Sequence, residues 1–452
     1  MKLSDLSRAT EDRLGKVEKA TDDETASGVA DKWPDAQTLA NNYEPRITRN
    51  MVWDSTSDTF SRDGITTGVT PIHEGMRRCV LTDAGEIAYF LDPNDSTLKE
   101  DGTVANLDGT DGQVMVRVPK FWVRVSKLFN GEWKREISET PRSGFVLHPA
   151  FAIGGTLQLD PDVGMWHYKG HTGEREAFYV GAYMASVYDT SAGTHIDGLN
   201  LDDNDSRLDY ATDLLASVSG YYPMVGVTLA GFRDLATNRG EGWQQWDLWQ
   251  WSALKLLFFV EFAGFNSQEI LNDGNVRVST GYPSSSSDQT DSPHSVAGKS
   301  NSIGNGTGGV DSTTRDTAWV SYRGIEHLWG NAWQFIDGVK VNDRNWYVNN
   351  DPLTYSSAAS TTDYTQLGVT APTGSGYIRN VQHETLADIV RDSSGNSSTA
   401  FADYYYQNSG WRSVVVGGRS SYGAAAGVSA VVSGVVLAYR SRRLSGRVAF
   451  KK

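Results

Sequence analysis

The chain has 452 residues, 39% of them hydrophobic and 11% aromatic, enough material for two or three packed units. Its formal charge of −14 argues against a nucleic-acid partner, which needs a concentrated basic surface. Cys79 is the single cysteine, so an internal disulfide and a multi-cysteine metal site are both excluded, and synthesis in a reducing cytoplasm is the expectation.

Residues 1–16 lack the apolar run of a leader peptide, and the longest apolar stretch, 253–262, is interrupted by Lys255 and Glu261. Leu3, Leu6, Leu14 and Val17, set among charged residues, predict a short helical arm over residues 1 to about 20. Such a helix is marginal alone and suits self-association, although a frayed, solvated arm fits the same letters. Residues 50–125 read as short strands and turns. Asp83, Ala84 and Gly85 sit between apolar runs as a hairpin turn, 92–112 is a polar loop, and Pro119 divides the alternating run 114–125. A boundary near 114–121 is expected, making 46–118 a small β module for a shaft or docking role.

Between Trp243 and Phe262, apolar residues at Trp246, Trp249, Leu254, Leu257 and Phe258 follow a helical rhythm. The run is apolar on nearly every side from 254 to 262, which predicts a buried helix, with Gly264 and Asn266 as its stop. Residues 280–315, 349–375 and 392–399 are rich in Ser, Gly, Asp and Thr and read as surface loops. The basic residues Arg440, Arg442, Arg443, Arg447, Lys451 and Lys452 read first as a strand edge and terminus.

No catalytic pattern emerges. Among 55 acidic residues no pair stands out as a glycosidase couple. Asp202, Asp203, Asn204 and Asp205 lack the full ligand alternation and closing Glu of a calcium loop. His167 and His171 have the spacing of a helical metal pair, but they lie in glycine-rich, turn-like sequence. No phosphate-cradling loop and no Gly-x-Ser-x-Gly elbow occurs. The expectation is a non-enzyme with no catalytic residue, cofactor or metal.

Several segments resemble known families. The stretch from Ala20-Thr-Asp-Asp-Glu24 to Trp33-Pro-Asp-Ala-Gln-Thr-Leu39 resembles a linker that recurs in phage tail fibres. The run Leu328-Trp-Gly-Asn-Ala-Trp-Gln-Phe335 resembles a signature of formylglycine-generating-enzyme-like proteins, a branch of the C-type lectin fold. Phe178–Ser186, Gly231-Phe-Arg233 and Arg239-Gly-Glu-Gly-Trp243 look like other parts of that family, so the resemblance covers roughly 120–450. Its oxidase members hold copper with a C-terminal cysteine pair, and this chain has no cysteine after Cys79, so that activity is not expected. By itself, 322–338 reads as a buried aromatic unit in which Gly330 and Gly338 permit close approach and Asn331 bonds a neighbouring loop. A ligand pocket lined by Trp329 and Trp333 is the other reading.

The C-terminal run, from Gly417-Gly-Arg419 to Ser445-Gly-Arg-Val-Ala-Phe450, resembles the end of lectin-fold variable proteins served by diversity-generating retroelements. In that family the side chains between such pieces form the binding face. From Tyr422 to Tyr439 every residue is Tyr, Gly, Ala, Val, Ser or Leu, and each is reachable from an Asn codon ending in C by changing adenines alone. An ordinary small-residue strand pair has the same letters, and the codon endings separate the two readings.

The expected fold class is therefore α+β: a helical arm and fibre linker (1–45), a small β module (46–118), and a C-type-lectin-like receptor-binding domain (119–452). The resemblances imply a phage tail fibre or tail-tip adhesin, homotrimeric, made in the host cytoplasm and carried on the virion. Its N-terminus would meet other tail or baseplate proteins. Its partner would be a host cell-surface receptor, either a glycan or an outer-membrane protein. Contacts are expected from Trp411, Ser420, Ser421, Tyr422, Ala424, Ala425, Ser429, Val432, Gly434, Val435, Tyr439, Ser441 and Arg443. Tyr404, Tyr405 and Tyr406 would add rigid aromatic anchors. The alternative is a structural virion protein whose lectin-like domain only packs against other virion components; a glycan hydrolase or divergent metal oxidase is a more distant rival.

Overall fold

A computed structural model describes residues 19–20, 33–34, 48–63, 68–198, 207–278 and 294–452. The expected arm, most of the fibre linker, the acidic run 202–205 and the first half of the 280–315 loop lie outside these residues. Strands dominate, and only two helices among the described residues exceed four residues. None is long and apolar enough to cross a membrane.

In chain order the principal strands of the first half are β1 (Arg49–Asp54), β2 (Arg77–Leu81), β3 (Gln113–Pro119), β4 (Trp122–Lys127), β5 (Trp133–Ser138) and β6 (Ala177–Gly181). Helix α1 (Leu229–Thr237), strand β7 (Trp243–Gln245) and helix α2 (Leu248–Phe262) follow. The last third adds β8 (Trp333–Asn342), β9 (Asn345–Val348), β10 (Thr365–Thr370), β11 (Tyr404–Gln407), β12 (Trp411–Val416), β13 (Val431–Val436) and β14 (Val448–Phe450).

The hairpin after β2 turns at Gly85, whose φ of 78° is open to glycine at little cost. Pro119 closes β3, and the chain resumes as β4. Yet no boundary falls at 118/119. β3 pairs with β2 on one side and with β6 on the other, and β14 lies between β6 and β7 in the same six-stranded sheet. β1 likewise pairs with β5 in a second sheet. One hydrophobic core runs from Met51 to Ala449 across the expected division. Long-range pairing joins the two segments, and the local break at Pro119 is a bend between sheets.

Helix α2 fills the centre of that core. Its side chains from Leu248 to Val260 are buried, as a helix apolar on all sides must be. It starts later than its apolar rhythm suggested, because Asp247 caps it in a reciprocal box with Gln250 while Trp243–Gln245 pairs with β14. Ala263, left-handed at φ 50°, ends it just before Gly264.

Polar residues at 294–300, expected on a surface loop, turn inward instead: His294, Ser295 and Ser300 are buried. Ser300 bonds both Arg78 and Glu326, which draws this segment against the body. Two basic residues of the C-terminal cluster are interior as well. Arg447 donates to the carbonyls of Gly181, Glu326 and His327, and Lys451 pairs with Asp247 where neither side chain meets solvent. Burial pushes the Asp247 carboxyl up, but Lys451 together with hydrogen bonds from the Gln250 N–H and the Gln244 side chain holds the group below its ordinary value. The side chains of Tyr355 and Gln244 also donate to Asp247.

Candidate functional site

The sheet of the last third has the order β10-β9-β8-β12-β13-β11, extended beyond β11 by Gly376–Tyr377. Its pleat sorts successive residues onto opposite faces. Val414, Val416, Val431, Tyr405 and Ile336 point into the main core behind α2. Phe335 and Val415 point the other way, into a second cluster shared with Phe232 and Leu235 of α1. Where α1 no longer covers it, that second face opens to solvent.

The loop between β12 and β13 borders the open face and is tightly pinned. Gly417 and Gly418 are left-handed, with φ of 89° and 83°, and a Cβ at Gly418 would lie 2.4 Å from Ala426 Cβ. The Ser420 N–H donates to the Asn331 carbonyl (2.9 Å), and the Gly423 N–H to that of Val276 (2.9 Å). Gln268 donates to the carbonyls of Gly423 and Ala426, and Val428 N–H to the Ser267 hydroxyl. The Ser429 N–H donates to Asp403 Oδ2 at 2.7 Å. Burial pushes the Asp403 carboxyl well above its ordinary value. Asn331, itself left-handed, accepts from Ser295 N–H and Asn275 through its side-chain oxygen, as its place in the signature run suggested. Trp329 is fully buried and Trp333 is 6% exposed, so the signature tryptophans are packing residues and line no open pocket.

An aromatic strip crosses the open face from this loop. The Tyr422 ring meets Trp333 edge-on at 5.1 Å and lies 6.4 Å from Tyr404, whose ring meets Tyr377 at 5.4 Å. The Arg419 guanidinium stands 5.5 Å above Tyr422. Tyr406 lies over Gly434, where a Cβ would come within 2.7 Å of its ring. Tyr406, Val436 and Tyr439 are 41%, 46% and 47% exposed. Toward β9, Trp411 packs on Tyr347 at 5.6 Å, with the Lys340 ammonium 5.8 Å from its ring.

Most of the expected contact residues gather here. Ala424, Tyr439 and Arg443 are exposed, and Trp411, Ser421, Tyr422, Ala425, Val432, Gly434, Val435 and Ser441 are half-buried. Three expectations fail. Ser420 is fully buried, Ser429 is 4% exposed, and Tyr405 faces the main core with no exposure. The loop's backbone bonds pull both serines under the surface, and the period of two turns Tyr405 away from its neighbours. Val432 and Val435 also pack on the second cluster, so their size matters to the fold. Sequence reasoning missed Tyr377 and Arg419 as parts of this face. Tyr377 sits in a glycine-rich stretch with no local signal.

His167 lies in a strand, not in the turn the sequence suggested, 3.3 Å from Asp160, and His171 follows that strand near Glu174. Among the described residues, no group of three or more His, Cys, Asp or Glu side chains is gathered as a metal site. The site offers apolar area, aromatic rings and cationic donors.

No family model matches the chain. No curated protein matches it either. Among solved structures, a chain titled Major Tropism Determinant U1 Variant is similar over 87% of this chain and 76% of its own length, at 12% identity and a TM-score of 0.27. A similarity that loose carries no argument, and the reading below rests on the chain's own residues.

Proposed function

We propose that this chain is a phage tail-fibre or tail-tip adhesin that binds a host cell-surface receptor through the open face of β11, β12 and β13. The observation that carries the reading is the division of labour along these strands. Tyr405, Val414, Val416 and Val431 anchor the sheet in the core, while Tyr404 and Tyr406 stand on the opposite face of β11 and the exposed Tyr439 follows the end of β13. A rigid scaffold holding exposed aromatic residues is the arrangement a recognition surface needs. The resemblance of residues 20–39 to a fibre linker, and of 328–335 and 417–450 to lectin-fold proteins, supports a C-type-lectin-like domain on a virion. Trimeric assembly, with the N-terminal segment on other tail or baseplate proteins, belongs to the same reading. Repeated copies would turn weak single contacts into firm attachment.

The test is binding of purified full-length protein to candidate host cells beside the variant Tyr404→Ser, Tyr406→Ser and Tyr439→Ser, with folding checked by thermal melt. Retained fold with lost binding supports the adhesin. Equal binding moves the receptor site elsewhere. If wild-type protein binds no plausible host, the structural-virion alternative takes its place.

A further inference from the structure

We infer that the partner of this face is a protein surface bearing acidic side chains, an inference that rests on the adhesin reading above. The first observation is how charge is distributed along the chain. Residues 404–452 contain eight Lys and Arg and no Asp or Glu, whereas the preceding residues contain 33 Lys and Arg against 55 Asp and Glu. Arg447 and Lys451 are interior, which leaves Arg412, Arg419, Arg440, Arg442, Arg443 and Lys452 to act outward.

Several of these groups border the aromatic strip. Arg419 stands over Tyr422, and the Arg443 carbonyl accepts the N–H of Trp333, whose ring meets Tyr422. Arg440 directly follows the half-exposed Tyr439. Arg419, Arg442 and Arg443 hold intramolecular contacts of their own, so the argument rests on the local field and not on unpaired groups. An acidic partner is repelled by the rest of this anionic chain and attracted here, which sets the orientation of approach. A nucleic acid, with charge along its whole length, would meet repulsion beyond the patch.

A protein fits the face better than a glycan. Sugar hydroxyls donate as well as accept, and a sugar site needs acceptor groups such as carboxylates among its rings. Here Asp403 is fully buried, and the exposed Asp343, beside Trp411, already accepts the Gly410 N–H. The face instead presents Tyr406 and Tyr439 more than two-fifths exposed, with the half-buried Val435 and Trp411 beside them. Apolar side chains, Tyr, Trp and Arg are the composition of protein–protein hot spots.

The experiment measures binding of the full chain to host cells as NaCl rises from about 0.05 to about 0.5 M, a range over which the screening length falls severalfold. It is repeated on protease-shaved cells, on periodate-oxidised cells, and with two folded double variants. Expected are a loss of roughly tenfold or more in affinity across the salt range and a similar loss for Arg440→Gln with Arg443→Gln. The pair Arg440→Lys with Arg443→Lys should keep most of the affinity. Shaved cells should lose binding and oxidised cells keep it. Salt-independent binding, an unaffected Gln pair, or binding lost to periodate and kept after protease would each overturn the inference. If the serine triple variant fails to bind while the Gln pair binds normally, the adhesin reading survives and this inference falls alone. If wild-type protein binds no host, both fall together.

Discussion

Tyr404, Tyr405 and Tyr406 are the same residue three times in a row, yet the middle one is fully buried and its neighbours are half-buried and 41% exposed. The two faces of this sheet therefore differ in what holds them, though not in the letters that build them. Behind β11 and β13, side chains meet α2 and a continuous core. In front, the Tyr404 ring meets Tyr377 and Tyr422, and the Tyr406 ring lies over Gly434. Change at Tyr404 or Tyr406 is cheap for the fold, whereas change behind the sheet, or at Val432 and Val435 where the front packs on the second cluster, is not.

The sharpest way to break this contrast is to attack the interior ion pair. Lys451→Met leaves Asp247 charged and buried without its partner, and should cost about 3–5 kcal/mol in a denaturant titration. Adding Asp247→Asn to that variant should recover part of the loss, since neither position then carries an unpaired charge. Next comes the tyrosine triplet. Tyr405→Ala should cost about 3 kcal/mol, while Tyr404→Ala and Tyr406→Ala should each stay within about 0.5 kcal/mol. Similar losses at all three positions would refute the division of the faces.

The smallest effect per group concerns pH. Burial holds His148, His294 and His327 uncharged down to about 3, with Lys451, Arg419 and Arg447 respectively adding to the shift. Unfolding frees each ring to take a proton near its ordinary value of 6.5. Between those limits the unfolded chain binds more protons, so stability is complete above about pH 6.5 and lost as pH falls toward 3. The slope should be about 1.4 kcal/mol per histidine for each pH unit. Denaturant titrations at pH 7.5, 6.5 and 5.5 measure it, and a flat profile would contradict the burial of these rings.

The sequence made some of this legible and hid the rest for a physical reason. Helix α2, the turn at Gly85 and the break at Pro119 all show locally, because an apolar rhythm, a left-handed turn and a missing N–H act over a few residues. The late start of α2 does not, since it depends on Trp243–Gln245 pairing with residues 203 to 207 positions later. The false boundary at 118/119 has the same origin, with β3 joined to β6 across the chain. At the candidate site, the segment 411–443 was recognisable, but which serine or tyrosine faces outward was not. Ser420 and Ser429 are hidden by backbone bonds to Asn331 and Asp403, partners that no spacing in the loop announces.

β14 is inserted between β6 and β7, and Lys451 follows it into the core. These residues come after the whole open face in the reading frame. A message interrupted or shifted anywhere within 419–443 would make a chain missing an interior strand and leaving Asp247 unpaired, one that could not close its core. Folding thus proofreads the open face: only copies translated in frame through every exposed position can display it.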